Sequence, residues 1–112
     1  MNTRIAYMYR DAANYKTSKE IVLEGEAAPD VFFASLHERE YFIPYDVGLP
    51  ELQPSLCTVD DHIWHELERV VLTDDAPDAA FPFSAAELAS RFHDRGAAGW
   101  DESAAFDRHR IF

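Results

Sequence analysis

The 112-residue chain has one cysteine, Cys57, four glycines and two lysines, Lys16 and Lys19, and it contains no long apolar run. Each shortage excludes something. A single thiol rules out a disulfide framework and any zinc site built on cysteine pairs. The scarce glycines form no phosphate-cradling loop, dinucleotide fingerprint or nucleophile elbow. The opening Met1-Asn-Thr-Arg-Ile5 stretch lacks the apolar core of a secretory leader or membrane helix, so no membrane association is expected and the cytoplasm is the expected compartment. Positive charge is also in short supply. Ten basic residues, eight of them arginine, face 21 acidic ones, for a net charge of −11. Residues 1–50 carry −3 and residues 51–112 carry −8. Nucleic acid is therefore not an expected partner, because phosphate contacts need concentrated positive charge.

What the chain does have is apolar content, 47% of its residues with 13% aromatic, enough for a packed core and too much for a disordered segment. It reads as one domain spanning residues 1–112. Residues 3–10 alternate at period two, with Ile5, Tyr7 and Tyr9 on one side, as a strand requires. Asp11-Ala12-Ala13-Asn14 supplies turn chemistry, and Lys19–Glu24 is a second strand closed by Gly25. Ala28-Pro29-Asp30 opens a helix expected to end near Arg39, with Val31, Phe32, Ser35 and Leu36 as its buried stripe. Tyr41–Ile43 is a third strand stopped by Pro44, and a loop follows to Ser55.

Residues 62–72 fit two periods. As a strand they put Ile63, His65, Leu67, Arg69 and Val71 on one face and His62, Trp64, Glu66 and Glu68 on the other. As a helix, Ile63, Leu67, Val70 and Val71 share a stripe, and Thr58–Asp61 resembles a capping box. Trp64, Val70, Val71 and Thr73 favour the strand. Ser84-Ala-Ala-Glu87 is a clearer capping box, with Phe83 and Leu88 as a hydrophobic staple and Gly96 as the expected C-cap. Beyond it, Trp100, Phe106, Ile111 and Phe112 indicate a tail that packs on the domain. The order ββαββα implies an α+β fold, an antiparallel sheet of about four strands with two helices packed on one face.

Three groups of residues could carry function. Asp60-Asp61-His62-Ile63-Trp64-His65-Glu66 packs carboxylates and imidazoles into seven residues. His62, His65, Asp61 and Glu66 are donors suited to a divalent metal, provided the backbone lets them converge. A helix would bring His62, His65 and Glu66 together, whereas a strand would separate the two histidines. The order H-x-x-H-E is neither H-E-x-x-H nor H-x-x-E-H, so no metalloprotease motif is present. In the second group, Tyr9, Arg10, Asp11, Asn14, Tyr15 and Lys16 surround the expected hairpin tip and form a candidate recognition surface, since Tyr and Arg supply large amphipathic contacts. Third, Arg91, His93, Arg95, Arg108, His109 and Arg110 could gather into an anion-binding patch or serve as dipole partners and a solvated tail.

Tyr9-Arg10-Asp11-Ala12-Ala13-Asn14-Tyr15-Lys16, Phe42-Ile43-Pro44, Val47-Gly48-Leu49-Pro50 and the Asp60–Glu66 stretch resemble a group of small uncharacterised prokaryotic proteins sharing the patterns YRDxxNYK and DDHxWHE. The resemblance covers residues 4–72 and implies no activity, cofactor or partner. The expectation from the residues themselves is a small acidic module that binds a macromolecule, a protein with a basic surface. The alternative is a metal-binding protein or metal-dependent enzyme built on the His62/His65 cluster.

Overall fold

A computed structural model describes residues 1–54, 57–58 and 60–109. The strands are β1 (Asn2–Arg10), β2 (Lys16–Leu23), β3 (Tyr41–Phe42) and β4 (His65–Thr73). They form one antiparallel sheet in the order β2-β1-β4-β3. Helix α1 (Pro29–Ala34) lies between β2 and β3, a 3-10 turn (Pro44–Val47) follows β3, and α2 (Ala85–Ala98) and α3 (Glu102–His109) come last. The α+β architecture read from the sequence is the one observed. No helix among the described residues is long and apolar enough to cross a membrane.

The alternation in β1 sends Ile5, Tyr7 and Tyr9 inward with Ile21 and Leu23 of β2. Against this face pack Phe32 of α1 and Leu88, Ala89 and Phe92 of α2. Phe92 meets Phe32, Phe42 and Trp100 at centroid separations of 5.2, 5.2 and 5.7 Å. The opposite face is charged, with Glu20 pairing with both Arg4 and Arg69 across the three neighbouring strands.

Strand β4 departs from strict alternation. Tyr7 pairs with Leu67 but Ala6 pairs with Arg69, so Glu68 is an extra residue, a β-bulge. The bulge flips the phase of everything after it. His65, Leu67 and Val70 are buried, whereas Arg69 and Val71 are exposed. The face expected to hold Arg69 and Val71 with Leu67 is corrected accordingly.

Several boundaries also differ from expectation: β3 ends at Phe42 instead of Ile43, and β4 spans His65–Thr73 instead of residues 62–72. Strand β2 starts at Lys16, because the hairpin loop is only Asp11–Tyr15. Helix α1 stops at Ala34, since Glu38 and Arg39 take positive φ (52° and 66°) and turn the chain back so that His37 and Tyr41 pair. Helix α2 starts as expected, with the Ser84 side chain accepting the Glu87 N–H at 3.1 Å, but it runs through Gly96 to Ala98 and is closed by Gly99 at φ 96°.

Gly96 serves close packing instead of capping. A Cβ there would lie 2.9 Å from Cα and Cβ of Ser35, at the end of α1. Gly96→Ala should therefore destabilise the domain by about 1–2 kcal/mol. Overpacking costs of about 1–3 kcal/mol exceed the gain of about 1 kcal/mol in helix propensity. The midpoint of urea denaturation measures it.

Candidate binding groove at the end of the sheet

The two motifs singled out in the sequence meet at one end of the sheet. At the hairpin tip, Asp11 Oδ1 accepts the Tyr15 N–H at 2.9 Å and Asn14 adopts φ 69°, so the D-x-x-N spacing is the chemistry of this turn. Ala12 N–H then donates to the Asp60 carbonyl at 2.9 Å, tying the tip to the second motif. Tyr9 is buried, and its hydroxyl donates to Asp61 Oδ1 at 2.5 Å and accepts the His62 N–H at 3.2 Å. The other Asp61 oxygen accepts the Thr58 N–H at 2.8 Å.

Both histidines are held by hydrogen bonds of known sense. His62 Nδ1 accepts the Trp64 N–H at 3.0 Å, so its proton is on Nε2, which donates to the Arg10 carbonyl at 2.6 Å. His65 has no solvent exposure, and its Nε2 accepts the Leu52 N–H at 2.9 Å. Tyr9 lies between the two imidazoles, with ring centroids 5.1 Å from His62 and 5.3 Å from His65.

This environment sets the protonation states. Burial, the neighbouring His62 and His109, and only partial relief from the Ile63 carbonyl push His65 down to about 3, so it is neutral at physiological pH. Burial alone would raise the Asp61 carboxyl. Hydrogen bonds from Tyr9 and Thr58, with His62 nearby, outweigh it and hold Asp61 below the usual carboxylate range. Burial and the bond to Asp61 push the Tyr9 hydroxyl up, and burial with Asp61 and Glu51 raises the Cys57 thiol, so neither is an activated nucleophile.

The four residues read as metal donors do not converge. His65 turns into the core, Asp61 is taken up by Tyr9 and Thr58, and Glu66 faces out to Arg10 at 3.2 Å. Among the described residues no group of three or more His, Cys, Asp or Glu side chains could hold a metal ion. The strand period explains this, since it sends His65 and Glu66 to opposite faces.

Of the hairpin residues, Tyr9, Asp11 and Asn14 have internal partners, and half-buried Arg10 bridges Asn14 and Glu66, whereas Tyr15 and Lys16 present surface, Tyr15 at 77% exposure. The basic residues near the carboxy terminus do not form one patch. Arg91 donates to the Val47 carbonyl at 3.1 Å and stacks on Phe83, while Arg108 and His109 converge on Glu51. Arg110, Ile111 and Phe112 lie outside the described residues.

On the outer face, the same end of the sheet carries a groove of about 470 Å³. Tyr41, Trp64 and Glu66 line it, together with Arg10, Asp11 and His62 from the two motifs and His37 and Glu38 from the turn before β3. The cross-strand register sets Glu66 between Met8 and Tyr41. His37 stacks on Trp64 at 4.4 Å with 7° between the ring planes, and Tyr41 lies 6.4 Å from the same indole. The sequence points to Arg10, Asp11, His62 and Glu66 of this set but not to His37, Glu38 or Tyr41. Their place depends on the positive-φ turn at Glu38 and Arg39, for which neither residue type is a signal. Comparison of the chain with known protein families, curated proteins and solved structures gives no match in any of the three.

Proposed function

We propose that this chain is a protein-binding module whose recognition surface is the end of the sheet where the two motifs meet, and that its partner presents a basic surface. The observation that carries the reading is the mutual pinning of the motifs. Most of the polar groups that could do chemistry there (Tyr9, Asp61, His62 and His65) are hydrogen-bonded to one another or to backbone. They support the outward-facing Arg10, Tyr15, Tyr41 and Trp64 without being free to react. A surface held this way loses little conformational freedom on binding, which favours recognition. Aromatic and arginine side chains on a fixed frame are the composition of binding hot spots. The net charge of −11 selects a basic partner and accelerates its encounter.

The test is affinity capture from an extract of the source cells, using the wild-type chain beside a Tyr15→Ser/Glu38→Arg double variant. Both positions are exposed, so the fold is retained. The expected result is a protein enriched by the wild type at low salt, lost with the variant and lost at high salt. A chain that enriches no protein, or the same proteins with and without the substitutions, overturns the reading.

A further inference from the structure

The groove on the outer face has a composition that selects among basic partners. It is lined by three carboxylates, Asp11, Glu38 and Glu66, against one guanidinium, Arg10, which pairs with Glu66, and two imidazoles, His37 and His62. Hydrogen bonding to Glu40 and burial, with smaller contributions from the charges of Glu40, Glu66 and Glu38, raise the Tyr41 hydroxyl above its ordinary value. The rings of Trp64 and Tyr41, with centroids 6.4 Å apart, line the same groove. The His37 ring, stacked parallel on Trp64, fixes the indole's orientation.

We infer that this groove seats an arginine side chain from a partner protein, its stem along Trp64 and Tyr41 and its guanidinium between Glu38 and Glu66. The assignment rests on the protein-binding reading above and gives that partner its chemistry. The chain itself supplies a precedent, because Glu66 already holds a guanidinium, that of Arg10, with Nε to Oε2 at 3.2 Å. Arginine suits the site better than lysine. Its planar group is weakly hydrated, stacks on aromatic faces and offers several donors to separate carboxylates, whereas an ammonium is a single, strongly hydrated point charge. An anionic ligand would meet three carboxylates, and an apolar one would desolvate them without adding a partner. A volume of about 470 Å³, open on the sheet surface, accommodates one long side chain while its backbone stays outside.

The experiment titrates a labelled glycine–arginine peptide into the folded full chain, reading fluorescence anisotropy and the indole N–H signal of Trp64. A peptide with citrulline in place of arginine keeps the shape and removes the charge. Saturable binding of the arginine peptide, absent for citrulline, is expected. Glu38→Gln and Glu66→Gln should each weaken it by about three- to tenfold, the range for a partly screened ion pair. Asp94→Asn, which removes a charge from the exposed side of α2, should leave it unchanged. Equal binding of the citrulline peptide, or arginine binding indifferent to Glu38 and Glu66, overturns the assignment. So does the absence of arginine binding, and there the two readings separate. If capture of a protein still depends on Tyr15 and Glu38, only the arginine assignment falls. If neither the peptide nor a protein binds, both fall.

Discussion

His65→Leu is expected to make the domain less stable at pH 7 and to abolish most of its sensitivity to mild acid. The imidazole is fully buried at the start of β4, among Tyr7, Tyr9 and Phe42, and it accepts the Leu52 N–H. Leucine fills most of the volume but cannot accept that bond, and a buried unpaired amide costs about 1–3 kcal/mol. His65→Ala adds a cavity and should cost about 3–5 kcal/mol in total. Acid changes the comparison. In the folded chain the ring resists protonation until about pH 3, held there by burial, by His62 and by His109. Unfolded, it protonates near 6.5. Between those values the unfolded chain binds more protons, so stability falls with falling pH at up to about 1.4 kcal/mol per unit. The contribution is complete above pH 6.5 and is lost progressively below it. The leucine variant has no such group, so its disadvantage should shrink as pH drops from 7 to 4. Urea denaturation at a series of pH values reads both effects. A wild type with flat stability from pH 7 to 4 would show that His65 is not held neutral.

The same histidine shows why the sequence was legible in its elements but not in its site. Local signals were strong where one residue type has one physical use. The Ser84–Glu87 capping box, the alternating Ile5, Tyr7 and Tyr9, and the Asp11–Asn14 turn each became the element expected. Signals failed where geometry depended on distant packing. The Glu68 bulge arises from the pairing of β4 with β1, and nothing within His65–Thr73 encodes which residue is extra. Gly96 looked like a helix terminus because glycine commonly ends helices, yet its use is to let α2 approach Ser35. The groove is the extreme case. His37 and Trp64 are far apart in the chain and are stacked only because Glu38 and Arg39 take left-handed backbone angles. Dense clusters such as Asp60–Glu66 attract functional readings because their donors are adjacent in sequence. In a strand-forming segment, adjacency separates side chains to opposite faces. Here the buried Asp61, Ile63 and His65 build the frame, and His62, Trp64 and Glu66 line the groove.

Asp61→Ala should test that frame most directly, with an expected loss of about 2–4 kcal/mol. The carboxylate is the single acceptor that ties the Tyr9 hydroxyl to the backbone and hydroxyl of Thr58. Bonds to a charged acceptor contribute about 1.5–3 kcal/mol, and truncation also leaves a buried hydroxyl without its partner. Tyr9→Phe removes the other end and deprives the His62 N–H of its acceptor, so it too should be costly. Because the two substitutions delete one shared interaction, the double variant should be more stable than their summed losses imply, by about 1–2 kcal/mol. Additive losses would mean that the two side chains do not act through each other. The pH signature differs from that of His65. Asp61 has its folded pKa held below the ordinary value of 3.8, so its contribution is complete above that value and is lost only as pH falls through the lower folded one. The stability of the wild type should therefore fall with two overlapping pH dependences. His65 weakens the fold from pH 6.5 downward and Asp61 acts only below about pH 4, so the alanine variant should keep the first and lose much of the second. Because Asp61 also fixes the segment that carries Trp64, the variant should broaden or shift the Trp64 indole signal even where the domain remains folded. That change would link the buried network to the geometry of the groove.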